Sequence, residues 1–252
     1  FSIDSVLIIS RMILIRLSDC TVFNGKAILL NSSEIEIPVL FNPKSIPKHF
    51  PISAFIQLNY YNFINKISIK LENEISKASE TLRKDGTILY PTDTIWGIGC
   101  DATSNNAVLK VYKMKKRDFQ KPLICLASSY EMINDYLEFM PDFDYYELSR
   151  EGPTTFIFDS PKGISNYITK YSKSIGFRVP NDDFCKTLIT EFGKPIVSTS
   201  ANHSGKGFPK KFDKIDKEII SEVDYVVKKL NNETENIESK IIIKNYKYRS
   251  CL

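Results

Sequence analysis

The stretch 89-LYPTDTIWGIGCDA-102 begins as an apolar strand and is then interrupted by three consecutive hydroxyl or carboxyl side chains, Thr92, Asp93 and Thr94. The chain's only tryptophan, Trp96, follows at once, with Gly97 and Gly99 behind it. A strand that breaks into polar groups and then turns apolar again is either a surface turn or one wall of a site. Turn chemistry alone favours the first, because Thr and Asp side chains readily bond their own backbone. The second needs partner groups at the ends of neighbouring strands.

Outward from this stretch, apolar spacing defines the frame. Residues 69-IKLENEISKASETLRKD-85 place Leu71, Ile75, Ala78 and Leu82 at helical intervals, with Gly86 as the stop. Strand 87-TILY-90 follows, then an amphipathic helix over 105–117 with Val108, Val111 and Tyr112 inward. The pattern continues with strand 122–127, a helix over about 129–139, and strand 154-TTFIFD-159 after the Gly152-Pro153 turn. Strand 174-SIGFRVP-180, helix 182-DDFCKTLITEF-192 ending at Gly193, and strand 195-PIVSTS-200 come next. A late strand pair is expected at 223–228 and 240–246, separated by the polar loop 231–239. Strands alternating with helices predict an α/β fold with a mixed sheet.

Residues 1–66 have a different texture. They hold few acidic residues, a Pro-rich patch at 43-PKSIPKHFP-51 and an aromatic patch at 60-YYNF-63. No long helix is expected there. The run 5-SVLIISRMILIRL-17 is broken by Arg11 and Arg16, so it reads as a strand or extension rather than a targeting segment. The expected organisation is an N-terminal extension over 1–66 and a functional domain over 67–252.

Composition narrows the classes. With 42% hydrophobic and 25% charged residues the chain can bury a core as a soluble globular protein. A net charge of +4 permits a polyanionic ligand without requiring one. No apolar run reaches the roughly 20 residues needed to cross a bilayer, so no membrane partner is expected. The five cysteines are scattered without a CxxC pair and there are only two histidines, which argues against a structural zinc site. Scattered thiols fit a cytoplasmic protein better than a disulfide frame. There is no Walker A sequence and no GxGxxG, so a nucleotide site has to be built from dispersed Lys, Arg, Ser and Asn.

Such groups do occur. Lys113, Lys115, Lys116, Arg117 and Lys121 crowd the end of a helix, where Lys115 and Arg117 could converge on one phosphate; the bland alternative is a solvated basic face. In 195-PIVSTSANHSG-205 a strand runs into small polar residues, and Ser200 and Asn202 present a hydroxyl and an amide suited to phosphate or ribose oxygens. No nucleophile elbow accompanies these serines. Arg178 is the sole charge in 175-IGFRVP-180. A buried guanidinium needs a partner, either a structural carboxylate or that of a bound substrate.

Taken in order, PTDT-x-W-G-x-G, K-x-R-x-x-x-K-P-L, G-P-T-T, R-V-P and S-T-S-A-N-x-S-G resemble the YrdC family of threonylcarbamoyl-AMP synthases. The match spans roughly residues 70–250 and excludes 1–66. The short, single-domain members are the better comparison. The resemblance implies a YrdC-like twisted mixed sheet flanked by helices with a concave basic cleft. It implies condensation of L-threonine, bicarbonate and ATP to threonylcarbamoyl-AMP and pyrophosphate, with Mg²⁺ accompanying the nucleotide. A downstream transferase then modifies adenosine in tRNA. By position, Lys115, Arg117, Ser200 and Asn202 match the catalytic residues that hold the triphosphate. Thr92, Arg178, Ser198 and Ser239 match threonine contacts, and Ser174 and Arg249 match ATP contacts. Three positions depart from the family pattern: Lys116 between Lys115 and Arg117, Leu126 after Cys125, and Phe208. The resemblance also admits other readings. One is a module that binds double-stranded RNA without adenylate synthesis. Another is the carbamoyl-adenylate unit of hydrogenase maturation proteins, which are longer, cysteine-rich chains.

Overall fold

The computed structural model describes residues 20–23, 26–29, 52–139, 141, 143–171, 173–209, 211–228 and 240–243. The 5–17 run, the Pro-rich patch, the 231–239 stretch, Ser239 and Arg249 lie outside them. The chain divides into two compact units, Phe1–Lys70 and Leu71–Leu252. In the first, β1 (Cys20–Phe23) and β2 (Lys26–Leu29) form an antiparallel hairpin. Helix α1 covers Ile52–Arg83, so residues 52–66, expected to lack a long helix, are helical. That segment is rich in Phe, Tyr, Asn and Ile, which rank low in helix propensity, and propensity is a prior that context overrides.

The second unit is built on an eight-stranded sheet. Its elements after α1 are β3 (Ile88–Pro91), β4 (Trp96–Asp101), α2 (Asn105–Met114), β5 (Ile124–Leu126), α3 (Tyr130–Asp135) and α4 (Tyr145–Leu148). Then come β6 (Thr154–Asp159), α5 (Asn166–Thr169), β7 (Ser174–Arg178), α6 (Asp183–Phe192), β8 (Ile196–Ser200), α7 (Lys217–Glu222), β9 (Tyr225–Val226) and β10 (Lys240–Ile243). The strand order is β10-β6-β7-β5-β8-β4-β3-β9. Pairs β10–β6, β5–β7 and β3–β9 are parallel and the others antiparallel, so the sheet is mixed as expected. The two late strands exist but do not pair with each other. They lie at opposite edges, β9 on β3 and β10 on β6.

Local chemistry sets the ends of these elements. Ser104, Ser129 and Asp182 cap α2, α3 and α6 by accepting from Ala107, Met132 and Cys185 N–H groups. Helix α6 stops at Gly193, left-handed at φ 82°. At the end of α1 the stop is shared. Asp85 takes the left-handed conformation at φ 56°. Gly86 donates to the Thr81 carbonyl, and a β-carbon on it would stand 2.5 Å from Thr81 Cγ2.

Strand alternation sorts side chains onto two faces. One face carries Leu89, Ile98, Cys100, Cys125, Phe156, Phe158, Phe177 and Val197, covered by Val108, Val111 and Tyr112 of α2 and by aromatic residues such as Tyr130 and Tyr145. The opposite face is covered only in part. There Ile88, Tyr90, Leu126 and Ile196 pack against Ala78 and Leu82 of α1 and Phe184, Leu188 and Ile189 of α6. The rest of that face is uncovered by the described residues and forms the floor of a cleft.

Gly99 sits under the covered half. A β-carbon there would lie 2.7 Å from Tyr90 Cε1 and 3.0 Å from Ile196 Cγ2, both on fully buried side chains. Gly99→Val is therefore expected to destabilise the unit by about 1–3 kcal/mol through overpacking, read as a lower urea midpoint. Gly99 thus admits the Tyr90 ring, not a ligand.

Candidate active site

The open part of the sheet face bounds a cleft of about 530 Å³. Thr92, Thr94, Ile95 and Gly97 line it from the hairpin, Ile124 from β5, Thr155 and Ile157 from β6, Arg178 from β7, and Ser198, Thr199 and Ser200 from β8. Arg117, Pro122, Leu123 and Phe208 complete the walls. The register explains the convergence. Ile124 is level with Gly176 and Ser198, Ile157 with Gly176, and Gly97 with Ser200, so one row of the pleat points into the cleft. The only charged side chains among these lining residues are Arg117 and Arg178, and none is a carboxylate.

The three polar residues of the opening stretch have separate tasks. Thr92 Oγ1 accepts from the Thr94 and Ile95 N–H groups, each at 3.2 Å, and donates to the Ile95 carbonyl at 2.7 Å. Its hydroxyl proton is thus committed to the turn. Asp93 pairs with Arg178. Its Oδ1 lies 2.5 Å from Arg178 Nη1, and its Oδ2 accepts from Asn181 N–H at 2.8 Å. Both residues are buried. Thr94 Oγ1 accepts from Arg178 Nη2 at 3.4 Å. The buried partner of Arg178 is therefore a structural carboxylate. Arg178 Nε–H is also buried and has no hydrogen-bond partner among the described residues, which leaves one donor of a cleft-lining cation available.

Lys115 and Arg117 diverge. Lys115, the C-cap of α2, is 1% exposed and lies outside the cleft lining. Its ammonium donates to the Ser200 carbonyl, to the Asn202 carbonyl at 2.7 Å and to Asn202 Oδ1 at 3.5 Å. Burial, with the Arg117 charge nearby, lowers its pKa to about 7. Arg117 faces the cleft and fixes its own loop by donating to the Lys121 and Pro122 carbonyls, both at 3.0 Å. Asn202 Nδ2 donates to the His203 and Lys206 carbonyls. The Lys115, Ser200 and Asn202 group is thus assembled, with Lys115 bracing the turn after β8 from behind. Lys116, between Lys115 and Arg117, turns away from the cleft. Its φ is +50°, a left-handed conformation unfavourable to a side chain, and its ammonium reaches Glu218 Oε1 at 3.1 Å, away from the cleft.

Ser198 and Ser200 line the cleft, and a β-carbon on Gly97 would stand 3.2 Å from Ser198 Oγ. Ser174 does not join them. It starts β7, opposite Asp159, four residues and roughly 13 Å of strand from Arg178. Trp96 packs on the far face of the sheet against Phe212, with ring centroids 4.9 Å apart, and is not in the cleft. Thr155 and Ile157 were not foreseen as lining residues, though the period-2 alternation of 154-TTFIFD-159 puts them on the Arg178 face. Among the described residues no helix is long and apolar enough to cross a membrane.

Comparison with known proteins bears on the family and the fold. The family model Sua5/YciO/YrdC, described as telomere recombination, matches residues 80–249. A threonylcarbamoyl-AMP synthase of Escherichia coli (strain K12) is 35% identical over 138 residues, 52% of this chain and 71% of that protein. Sua5 of P. abyssi complexed with L-threonine superposes with a TM-score of 0.62 at 25% identity, over 68% of this chain and 50% of that one, so this chain spans about half its length. E. coli YciO shares the fold, with a TM-score of 0.56 at 24% identity over 68% of this chain and 83% of that one. The family-model match over residues 80–249, the 35% identity to the synthase and the shared mixed-sheet fold place the chain in the Sua5/YciO/YrdC family.

Proposed function

We propose that this chain is an L-threonylcarbamoyladenylate synthase. It joins L-threonine, bicarbonate and ATP, releases pyrophosphate, and supplies the threonylcarbamoyl group that a downstream transferase places on N6 of adenosine in tRNA. The observation that carries this reading is a cleft whose charged lining groups, among the described residues, are two arginines, one with a buried N–H to spare. That arrangement suits two anionic groups, a carboxylate and a polyphosphate.

The chemistry needs no enzyme nucleophile. The threonine amine adds to the bicarbonate carbon with loss of water, giving a carbamate. A carbamate oxygen then attacks the α-phosphorus of ATP, the bond to pyrophosphate breaks, and a mixed anhydride with AMP results. Negative charge gathers on phosphate oxygens during the second step, so fixed cations and donors aimed at those oxygens lower the barrier. Holding three reactants together removes much of the entropic cost.

In this reading Arg117 and Ser200 meet the triphosphate from the cleft wall, while Lys115 and Asn202 hold the turn that presents it and Lys115 supplies positive charge from behind. Arg178, fixed by Asp93, offers Nε–H to the threonine carboxylate. Ser198 adds a hydroxyl, and Thr92 sets the wall against which threonine lies. Ser239 and Arg249, outside the described residues, keep their proposed roles toward threonine and nucleotide, whereas Ser174 would meet nucleotide only beyond the cleft lining. Mg²⁺ enters as part of the nucleotide substrate. Among the described residues no carboxylate lines the cleft, and phosphate oxygens would hold the ion there. The synthase domain is assigned to residues 67–252, with 1–66 as an extension.

Incubation with ATP, bicarbonate and each amino acid in turn tests this. Pyrophosphate release is expected with threonine and not with the others. Equal release with every amino acid, or none with threonine, would overturn it.

A further inference from the structure

We propose that His203, Asp216 and Glu218 form a binding site for one divalent metal ion of the zinc type, outside the cleft, tying the turn after β8 to helix α7. None of the three lines the cleft. His203 Nε2 lies 3.0 Å from Glu218 Oε2 and 3.7 Å from Asp216 Oδ2, and one donor atom from each residue falls within 4.8 Å of the others. Zinc at about 2.0–2.2 Å from N and O donors needs them roughly 3.3 Å apart. The two distances to the imidazole already bracket that value, and the two partly exposed carboxylates have freedom to close the third.

Each donor is oriented by a second bond. His203 Nδ1 lies 3.2 Å from the Met114 carbonyl. Only an Nδ1–H tautomer can bond there, which in the neutral ring leaves the Nε2 lone pair facing the carboxylates. Asp216 Oδ1 accepts from Glu218 N–H at 3.0 Å, which turns its Oδ2 toward His203. Glu218 Oε1 is held by Lys116 at 3.1 Å, which turns its Oε2 the same way. A histidine donating from its distal nitrogen to a carbonyl, beside anchored carboxylates, is the outer arrangement that metal ligands carry.

Charge and donor type agree. Two carboxylates and a neutral imidazole sum to −2 and match a divalent ion. Lys206, 3.6 Å from Asp216 Oδ2, is an exposed cation that an ion would displace, while Lys116 stays on Glu218 Oε1 and leaves Oε2 to the ion. One nitrogen with two oxygens favours zinc over calcium or magnesium, which take oxygen alone. Composition gave no sign of this site because its ligands come from a turn and a helix start, without cysteine.

His203 follows Asn202, and its anchor Met114 precedes Lys115. An ion here would therefore brace the turn that holds the Lys115 ammonium.

The test uses the full chain after chelator treatment, titrated calorimetrically with zinc and, separately, spectroscopically with cobalt(II). One zinc per chain is expected, weakened about tenfold or more in both His203→Leu and Glu218→Gln. Zinc should raise Tm in the parent and not in the variants. Cobalt should give d–d bands without thiolate charge transfer, which separates this site from the cysteines. If His203→Leu fails to fold, Glu218→Gln decides, since it is isosteric at a partly exposed position. Failure of the folded parent to bind zinc stoichiometrically, unchanged affinity in Glu218→Gln, or thiolate bands would overturn the proposal and leave the cluster as an ion pair.

Discussion

Lys115→Ala is expected to abolish threonine-dependent pyrophosphate release, with a loss of at least about 10²–10³-fold, as when one preorganised charge-stabilising group is removed from an active site. The Lys115 ammonium bonds three oxygens, the Ser200 and Asn202 carbonyls and Asn202 Oδ1. Truncation leaves these acceptors unmet behind the turn and removes a cation from behind the proposed triphosphate. Lys115→Arg should not rescue activity, because a planar fork does not fit a pocket shaped around a point charge. The depressed Lys115 pKa, about 7, adds a signed prediction. Below pH 7 the free protein already carries the proton. At pH 8 most of it is lost, and a bound polyphosphate favours its return. ATP binding at pH 8 should therefore take up close to one proton, and at pH 6 almost none, measurable by calorimetry in buffers of different ionisation enthalpy. Near-normal turnover in Lys115→Ala would remove this group from the account.

Asp93→Ala should have the largest effect on stability. It strands a buried guanidinium whose main partner is 2.5 Å away, and it removes the acceptor of Asn181 N–H. Breaking a buried pair by deleting one member costs about 3–5 kcal/mol. In a unit of this size that corresponds to a Tm lower by roughly 10 °C. Threonine-dependent activity should fall with it, because Arg178 loses its fixed aim. A variant with unchanged Tm would mean that Asp93 does not hold Arg178 in solution.

Much of this arrangement is legible from residue order. Period-2 alternation defines β6 and β7, helical spacing defines α2 and α6, and Gly193 ends α6 where the pattern stops. The motifs around Thr92, Arg117, Arg178 and Ser200 do converge on one cleft. What stayed hidden depends on non-local pairing. Nothing local to 223–228 or 240–243 says that those strands take opposite edges of the sheet. The hydroxyls of Thr92 and Thr94 read as ligand groups, yet much of their bonding capacity serves the turn and Arg178. Asp93, left open by the sequence, is the link between that turn and Arg178. By spacing alone Lys115 and Arg117, two positions apart, could converge on one phosphate or lie on a solvated basic face. The left-handed Lys116 between them sends one behind the turn and the other into the cleft.

The most direct test of the central claim is the identity of the product. The protein is incubated with ATP, threonine and ¹³C-bicarbonate, and the mixture is analysed at once by mass spectrometry. The account predicts an adenylate carrying AMP, one threonine and the ¹³C label, absent when any one reactant is omitted. A folded protein that leaves ATP intact under these conditions, above all one that still binds double-stranded RNA, would contradict it.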